Sequence, residues 1–210
     1  MTDRVFKLMG SHSTTKRSEN DFYISSPEIV RALSECVRFG MSESSVYSGE
    51  TVITDSSVGT GSLLEPFGDC RCVGYDITDR GYSNVRIQDW LTVSVSDIMC
   101  ATQSCPKIIV QNPPFKNALD FVLHSIELLN PGELLFSLHR LLFLEGKERL
   151  DKLYKEAKPK YVFVFSSRVS CIVPDVPEKG KNAVCYAWFM WEKGFSGDTQ
   201  IKWITEGGIL

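Results

Sequence analysis

Long apolar runs are absent from this 210-residue chain. Its longest apolar stretches, such as residues 132–138 and 183–191, fall well short of the roughly 20 residues that a membrane span requires. Residues 1–20 also lack the continuous apolar core of a signal peptide. We therefore expect a cytoplasmic protein without a membrane anchor.

The ligand spacing of a zinc site is absent as well. The seven cysteines are an odd number, and neither Cys70 with Cys72 nor Cys100 with Cys105 has a second pair at a suitable spacing. The three histidines are scattered along the chain. Because disulfides are uncommon in the cytoplasm, we interpret the cysteines as free thiols and expect no bound metal.

An overall excess of positive charge is also lacking, since the formal net charge is −3. This balance argues against a protein that grips nucleic acid over its whole surface, because phosphate contacts need lysines and arginines. One segment differs, since residues 140–160 contain seven basic and four acidic side chains. The segment is either a solvated helix face with Glu–Lys pairs or a surface that faces phosphates.

Composition and periodicity divide the chain into an arm and one domain. Residues 1–20 are rich in Ser, Thr and Lys and show no periodicity, so we predict a flexible N-terminal arm. With 43% hydrophobic and 23% charged residues the chain has an ordinary globular composition, and we predict a single domain over residues 21–210. The pattern predicts that its first helix begins at Pro27, with Ser26 as the cap.

Along this domain, short apolar runs that each end in a polar residue alternate with helical patterns. Strands are predicted at residues 51–55, 71–76, 85–88, 107–111, 133–138, 161–165 and 183–191, with helices from residue 62 and over residues 116–129 and 144–157. This order predicts an α/β fold: a single Rossmann-like domain whose mostly parallel seven-stranded sheet has an antiparallel edge strand. Ligands of such sheets bind outside the C-terminal ends of the strands.

The first predicted strand ends at Asp55 and is followed by a turn that contains Gly59 and Gly61. Paired glycines allow a tight turn and a close approach of backbone to a ligand. The turn lacks the third glycine of the dinucleotide fingerprint, because Leu64 stands at that position, and no P-loop Gly-Lys-Ser/Thr follows. A tight turn that only needs small residues fits the pattern equally well.

Acidic residues stand at the ends of the next two strands. Asp76 lies 15 residues beyond Gly61, where a carboxylate can accept hydrogen bonds from the two ribose hydroxyls of a nucleoside. Asp89 and Trp90 come after the following strand, and together they suit an adenine amine and the face of its ring. Each acid alone could be a solvated strand end, but the three strand ends together favour a nucleoside-type ligand.

The most specific motif is Asn112, Pro113, Pro114 and Phe115. Two prolines make the segment stiff and remove N–H donors, so it presents acceptors that suit an amine. If the Asn112 side-chain carbonyl and the Pro113 main-chain carbonyl accept both N–H bonds of an aromatic amine, the nitrogen lone pair is freed for attack. Phe115 would stack on the base. The alternative is a proline-rich turn after a strand.

Together these motifs resemble class I S-adenosylmethionine-dependent methyltransferases that methylate amines, and especially the small adenine-N6 DNA methyltransferase-like proteins of phages and prophages. The resemblance extends over residues 21–204 and implies a methyltransferase domain. It implies that Tyr23, Ser26 and Pro27 contact the methionine moiety of the cofactor, with Ser26 where Thr is usual.

For the later motifs, the resemblance implies that residues 55–61 form the methionine-binding loop, with Ser56 replacing a common proline. Asp76 and Asp89 match the ribose and adenine positions, and residues 112–115 match the catalytic tetrapeptide. Residues 143–149, 167–169 and 186–194 resemble later segments of the phage-type proteins.

The nucleic-acid contacts are expected from basic residues in these later segments, namely Lys147, Arg149 and Arg168. Larger family members carry a separate target-recognition region, and here only residues 166–182 offer room for one. We therefore predict weak sequence specificity, or recognition through that connection and the N-terminal arm.

The resemblance thus implies methyl transfer from S-adenosylmethionine to the N6 amine of adenine in DNA. Two alternatives stay open. Asn-Pro-Pro-Phe also occurs in families that methylate guanine N2 in RNA or a glutamine side chain. Alternatively, a catalytically silent protein could bind cofactor or nucleic acid without turnover. The intact tetrapeptide at Asn112 argues against the silent protein.

Overall fold

A computed structural model of the chain describes residues 22–41, 51–68, 70–102, 107–172 and 184–210. The arm predicted for residues 1–20 lies outside the described residues, as does most of the connection predicted to aid target recognition, residues 166–182.

Eleven strands and four α-helices form within the described ranges. The strands are β1 (Ile24–Ser25), β2 (Val52–Asp55), β3 (Arg71–Asp76), β4 (Val85–Ile87), β5 (Lys107–Gln111), β6 (Leu134–Arg140), β7 (Tyr161–Phe165), β8 (Cys171–Ile172), β9 (Tyr186–Glu192), β10 (Gln200–Thr205) and β11 (Gly208–Ile209). The helices are α1 (Pro27–Gly40), α2 (Val95–Thr102), α3 (Ala118–Leu128) and α4 (Lys147–Arg149). In the described parts of the chain, no helix has the length and apolar character needed to cross a bilayer.

One large sheet runs through the described residues, in the order β11-β10-β7-β9-β6-β5-β2-β3-β4. Five of its neighbouring pairs are parallel, and the three antiparallel pairs involve β9 or β11. The prediction of a mostly parallel α/β sheet is therefore confirmed. The predicted count of seven strands is wrong, since the described residues form nine. The pattern missed β10 and β11 because half of the residues in β10 are exposed, both residues of β11 are partly exposed, and neither strand has a continuous apolar run.

The antiparallel strand predicted for the edge is in fact interior, because β9 pairs with β6 on one side and β7 on the other. Its residues from Ala187 to Met190 are fully buried. A strand that is apolar on both faces removes most surface from water at the centre of a sheet. The partly exposed strands β4 and β11 form the two edges, and β11 is the antiparallel one.

The helix predictions hold in part. α1 begins at Pro27 as predicted, although Ser26 makes no side-chain capping hydrogen bond. The helix predicted over residues 144–157 instead begins at Lys147, because Gly146 has a φ of 120°, which a right-handed helix excludes. A π-helical turn, Leu150–Tyr154, continues α4. The helix predicted from residue 62 is replaced by turns and a short 3-10 segment, Glu65–Phe67.

Parallel pairing brings the C-terminal ends of β2, β3, β5 and β6 to one edge of the sheet. We call this edge the carboxyl edge of the sheet. The small antiparallel pair of β1 and β8 lies beside it, since Ser25 at the end of β1 contacts Asn112, the residue that follows β5. The carboxyl edge therefore collects the polar residues that stand at the ends of separate strands.

Candidate active site

A partly open cleft lies at the carboxyl edge of the sheet and contains about 700 Å³ of empty space, its mouth included. It brings together six of the residues predicted from the sequence: Tyr23, Asp76, Asp89, Trp90, Asn112 and Pro114. The remaining lining residues are Phe22, Ser56, Ser57, Ile77, Arg80, Gln88, Asn117 and Phe121.

The glycine turn borders this cleft, and aromatic rings pack against both of its glycines. Gly59 and Gly61 have φ angles of 53° and 89°, a conformation that favours glycine. A Cβ on Gly59 would lie 2.6 Å from the ring of Phe22, and one on Gly61 would collide with the ring of Tyr82. The Gly59 N–H donates a hydrogen bond of 3.0 Å to Asp76 Oδ2. This bond connects the glycine turn with Asp76, the residue predicted to bind the ribose.

Asp55 lies behind the turn and borders a smaller adjoining cavity rather than the main cleft. Its side chain is buried, with Oδ1 accepting a hydrogen bond from the Ser57 N–H at 2.9 Å. Oδ2 has no hydrogen-bond partner among the described residues. Burial raises the pKa of Asp55 to about 7, partly offset by the Ser57 N–H and reinforced by the charge of Asp76. A cation at this cavity would pair with Oδ2 and favour the ionised form.

The carboxylates of Asp76 and Asp89 already accept hydrogen bonds from backbone N–H groups. Asp76 accepts from Gly59 and, at 3.0 Å, from Thr78, while Asp89 accepts from Leu91 and caps the 3-10 segment Trp90–Thr92. Each carboxylate oxygen can accept a second hydrogen bond. Both side chains therefore stay available as acceptors toward the cleft that they line.

Asn112 is held by its side-chain nitrogen. Nδ2 donates to Ser25 Oγ at 3.3 Å and lies 3.8 Å from Cys171 Sγ. Its Oδ1 is therefore the atom that can accept a hydrogen bond from a ligand in the cleft. Pro114 lines the same cleft, whereas Pro113 is buried and does not line it.

Phe115 lies at the rim rather than among the lining residues. Its ring centroid is 5.1 Å from that of Tyr23, and the Arg140 guanidinium carbon lies 4.7 Å from it. These contacts hold the ring between Tyr23, which lines the cleft, and Arg140 at the end of β6. Tyr23 thus supports Phe115 in addition to lining the cleft. Ser26 and Pro27 lie outside the cleft lining, and the Ser26 hydroxyl is buried without a partner among the described residues.

Sequence reasoning missed the buried amide beneath the tetrapeptide, Gln111. Its Oε1 accepts hydrogen bonds from Ser56 at 2.8 Å and Ser125 at 2.9 Å, and its Nε2 donates to Ser137 at 2.9 Å. Ser125 Oγ in turn accepts from the Trp90 indole at 3.0 Å. The amide therefore links the glycine turn, α3, β6 and the cleft-lining indole.

This hydrogen-bond network ends at a neutral histidine. Ser137 Oγ lies 2.7 Å from His139 Nε2, and burial lowers the pKa of His139 to about 3. The imidazole stacks on Phe143, with ring centroids 3.8 Å apart. Because Ser137 accepts from Gln111, its hydroxyl is free to donate to the histidine, so every group in the network has a partner.

Two further lining residues, Phe22 and Arg80, were also missed. The Arg80 guanidinium carbon lies 3.9 Å from the centroid of the Phe22 ring, and its Nε lies 3.9 Å from Asp76 Oδ2. The pair covers the glycine turn from the cleft side. Neither residue stands in a recognisable motif, and only the fold brings them together.

The basic residues predicted to contact nucleic acid lie outside the cleft lining. Arg149 hydrogen-bonds the carbonyl oxygens of Glu145 and Leu142 and so stabilises its own turn. Lys147 is exposed at the start of α4, and exposed Arg168 donates to Cys185 Sγ at 2.6 Å. Contact of these three side chains with nucleic acid stays a prediction.

The five cysteines in the described residues are free: Cys36, Cys70, Cys72, Cys171 and Cys185. In the same part of the chain, no three His, Cys, Asp or Glu side chains are grouped as metal ligands.

Comparison with known proteins identifies the fold. No protein-family model matches the chain, and no curated protein matches it in sequence. Among solved structures it is similar to a Listeria monocytogenes protein assigned to the class I S-adenosylmethionine-dependent methyltransferases, with a TM-score of 0.59, 14% identity, and coverage of 86% of this chain and 65% of that one.

Two DNA restriction enzymes are also similar. The type IIG restriction endonuclease BpuSI has a TM-score of 0.61 and 13% identity, over 89% of this chain and 28% of that one. The type IIL restriction-modification enzyme MmeI, solved in complex with DNA, has a TM-score of 0.54 and 12% identity, over 89% and 39%. The chain thus spans less than two thirds of the length of each of these proteins, and it has the fold of class I S-adenosylmethionine-dependent methyltransferases.

Replacement of Gln111 by leucine should lower the free energy of unfolding. Leucine has a similar size but leaves the buried hydroxyls of Ser56, Ser125 and Ser137 without this partner, at a cost of about 3 kcal/mol in total. Urea unfolding followed by tryptophan fluorescence measures the change. The control is Gln200→Leu, which alters an exposed glutamine in β10. Equal unfolding midpoints for the two variants would contradict the role of the network.

Replacement of Asp55 by asparagine should change how stability depends on pH. The folded protein keeps the Asp55 proton up to about pH 7, whereas the unfolded chain releases it near 3.8, so the folded state binds more protons between these values. Relative to Asp55→Asn, the wild type should lose stability on the order of a few kcal/mol as pH rises from about 4 to about 7.

Thermal unfolding followed by circular dichroism at several pH values measures this difference. The comparison of the two proteins is needed because His139, whose pKa burial lowers to about 3, titrates in both. A difference in Tm between wild type and variant that stays constant from acid to neutral pH would refute the buried-carboxyl interpretation.

Proposed function

We propose that the protein transfers a methyl group from S-adenosylmethionine to the exocyclic N6 amine of adenine in DNA. The observation that carries the proposal is the position of Asn112 Oδ1, an acceptor fixed by the hydrogen bond of its own Nδ2 to Ser25. It lines the same cleft as Asp76, Asp89 and Trp90, the residues that suit a nucleoside. An amine acceptor and a nucleoside site in one cleft are what methyl transfer to an aromatic amine requires.

The residues around the cleft fit this cofactor. The unpaired, buried Asp55 Oδ2 suits the ammonium group of the methionine moiety, since a carboxyl that is costly to ionise gains most from a cation. Asp76 would accept from the ribose hydroxyls, held for this by the Gly59 N–H. Asp89 would accept from the adenine amine beside the Trp90 indole.

When bound, S-adenosylmethionine supplies an electrophilic methyl group on a sulfonium. The protein positions the amine that attacks it. Asn112 Oδ1 would accept an N–H bond of the amine, drawing the nitrogen toward tetrahedral geometry and freeing its lone pair. The Pro113 carbonyl, the second acceptor expected from the motif, belongs to a buried residue outside the cleft lining, so Asn112 Oδ1 carries the proposal. Phe115, held by Tyr23 and Arg140, would stack on the base from the rim of the cleft.

The choice of adenine in DNA rests on the resemblance of the motifs to phage-type adenine methyltransferases. The likeness of the fold to MmeI, a restriction-modification enzyme solved with DNA, is consistent with a DNA substrate. To present its N6 amine to Asn112, an adenine in a duplex would have to leave the base stack, at a cost of about a few kcal/mol.

Replacement of Asn112 by alanine should reduce methyl transfer by at least about 100-fold, the usual effect of losing one oriented polar group at a reacting centre. Cofactor affinity should change little, because the cofactor residues proposed above lie on other segments. Transfer of a labelled methyl group measures the first quantity, and isothermal titration with S-adenosylmethionine the second. The control is Asn130→Ala, in the turn between α3 and β6. Turnover of Asn112→Ala at the control rate would reject the mechanism.

The acceptor is identified by the same labelled cofactor offered with DNA, RNA and protein fractions. Mass spectrometry of nucleosides from DNA of cells that express the chain should then reveal N6-methyladenine. Label confined to RNA or to protein would overturn the DNA assignment and favour the base or glutamine substrates of related chemistry.

A further inference from the structure

A second groove opens at the carboxyl edge of the sheet, beside the cleft. We call it the leucine groove, and it contains about 1050 Å³ of empty space, its open side included. Its lining residues are Arg140, Leu141, Leu142, Leu144, Glu145, Val184 and Cys185. Leu142 is 68% exposed and Leu144 is 43% exposed, an unusual amount of apolar surface so close to a polar site.

Arg140 connects the leucine groove with the catalytic tetrapeptide. It ends β6, which pairs in parallel with β5, the strand that leads into Asn112. Its guanidinium lies over the ring of Phe115, as described above, while the same residue lines the groove. A ligand that extends from the tetrapeptide into the groove must therefore pass Arg140.

Within the described ranges, no ion pair includes Arg140. No carboxylate of these ranges therefore neutralises its charge. Its neighbour Tyr186 hydrogen-bonds the guanidinium, but burial raises the pKa of that phenol, so it stays uncharged. The exposed guanidinium is thus available to an anion.

Other cations flank the leucine groove. Arg168 donates to the sulfur of Cys185, a lining residue, and Lys147 is exposed two residues beyond Glu145. Glu145 is the acid among the lining residues, and Arg149 is hydrogen-bonded to its main-chain oxygen. The surroundings are therefore cationic, although the chain as a whole has a net charge of −3.

Cations beside exposed apolar side chains match the chemistry of an unpaired nucleic-acid strand. In a duplex the base faces are stacked on one another, so only phosphates and groove edges are accessible to a protein. An unpaired strand offers phosphates to a cationic surface and base faces to an apolar one.

We propose that the leucine groove holds a nucleotide adjacent to the target base in a locally unpaired DNA strand. Arg140 pairs with the phosphate between that nucleotide and the target, and Leu142 and Leu144 pack on its base. The proposal rests on the proposed function, because a DNA acceptor is what brings a strand to the carboxyl edge. Packing on a base face does not distinguish sequences, so the groove provides affinity without strong specificity.

The test is the binding of a fluorescein-labelled single-stranded oligodeoxynucleotide of mixed sequence, followed by fluorescence anisotropy over a range of salt concentrations without cofactor. Arg140→Gln should weaken binding several-fold and reduce the slope of log K against log salt by about 0.7, the loss of one phosphate contact to a single strand. Leu142→Ser should weaken binding several-fold and leave the salt slope unchanged, since it removes apolar contact alone.

Matched controls lie elsewhere on the sheet. Lys158→Gln removes one exposed positive charge before the start of β7, at the opposite end of the strands, and Leu210→Ser alters an exposed leucine beyond β11. Both controls should bind the oligonucleotide as the wild type does. All four side chains are exposed, so the variants should keep the thermal unfolding midpoint of the wild type.

Three results would overturn the proposal: Arg140→Gln and Lys158→Gln with equal affinities and slopes, tighter binding of the matching duplex, or tighter binding of the matching RNA strand. The outcome is separable from that of the proposed function. If strand binding depends on Arg140 and Leu142 but no methyl group is transferred to DNA, the proposed function is rejected and the groove proposal stands. If DNA is methylated but both variants keep the strand affinity and the KM of the wild type, the proposed function stands and the groove proposal is rejected.

Discussion

The carboxyl edge of the sheet depends on the side-chain amide of Gln111. Its hydrogen bonds reach Ser56 in the glycine turn, Ser125 on α3 and Ser137 on β6, so one residue sets the positions of three elements. The residue after it is Asn112, whose geometry the proposed chemistry requires. Because the amide carries no net charge, the network can be fully buried without the desolvation cost of an ion. It can therefore anchor the site from inside the sheet.

The buried carboxyl of Asp55 contrasts with this satisfied network. One of its oxygens lacks a partner in the described residues, and burial makes its ionisation costly. Such a group lowers stability at neutral pH and gains from a cationic ligand, which is a common relation between stability and binding at functional sites. The central position of β9 has a further effect: Tyr186 lies opposite Arg140, which supports that arginine at the junction of cleft and groove.

Much of the candidate site could be predicted from the sequence, because each of its motifs consists of residues that lie within a few positions of one another in the chain. The end of β3 at Asp76, the end of β5 before Asn112, the glycine turn and the start of α1 at Pro27 were all predicted, because short-range apolar patterns and backbone preferences specify them. Gln111 was missed although it stands beside the tetrapeptide. Its partners lie 14, 26 and 55 residues away, and no local pattern signals such distant hydrogen bonds. The pairing of Arg80 with Phe22 was missed for the same reason.

The sequence by itself determined the alternation of strands and helices, the mostly parallel sheet, and the stiff Asn-Pro-Pro-Phe segment after β5, since each depends on residues close together in the chain. Only the tertiary structure decided that β9 lies inside the sheet, that β10 and β11 extend it, and that Gly146 delays the start of α4. It also decided that Arg140 meets Phe115 at the rim of the cleft. These outcomes depend on which surfaces can be buried together, a competition among all elements that local patterns do not encode.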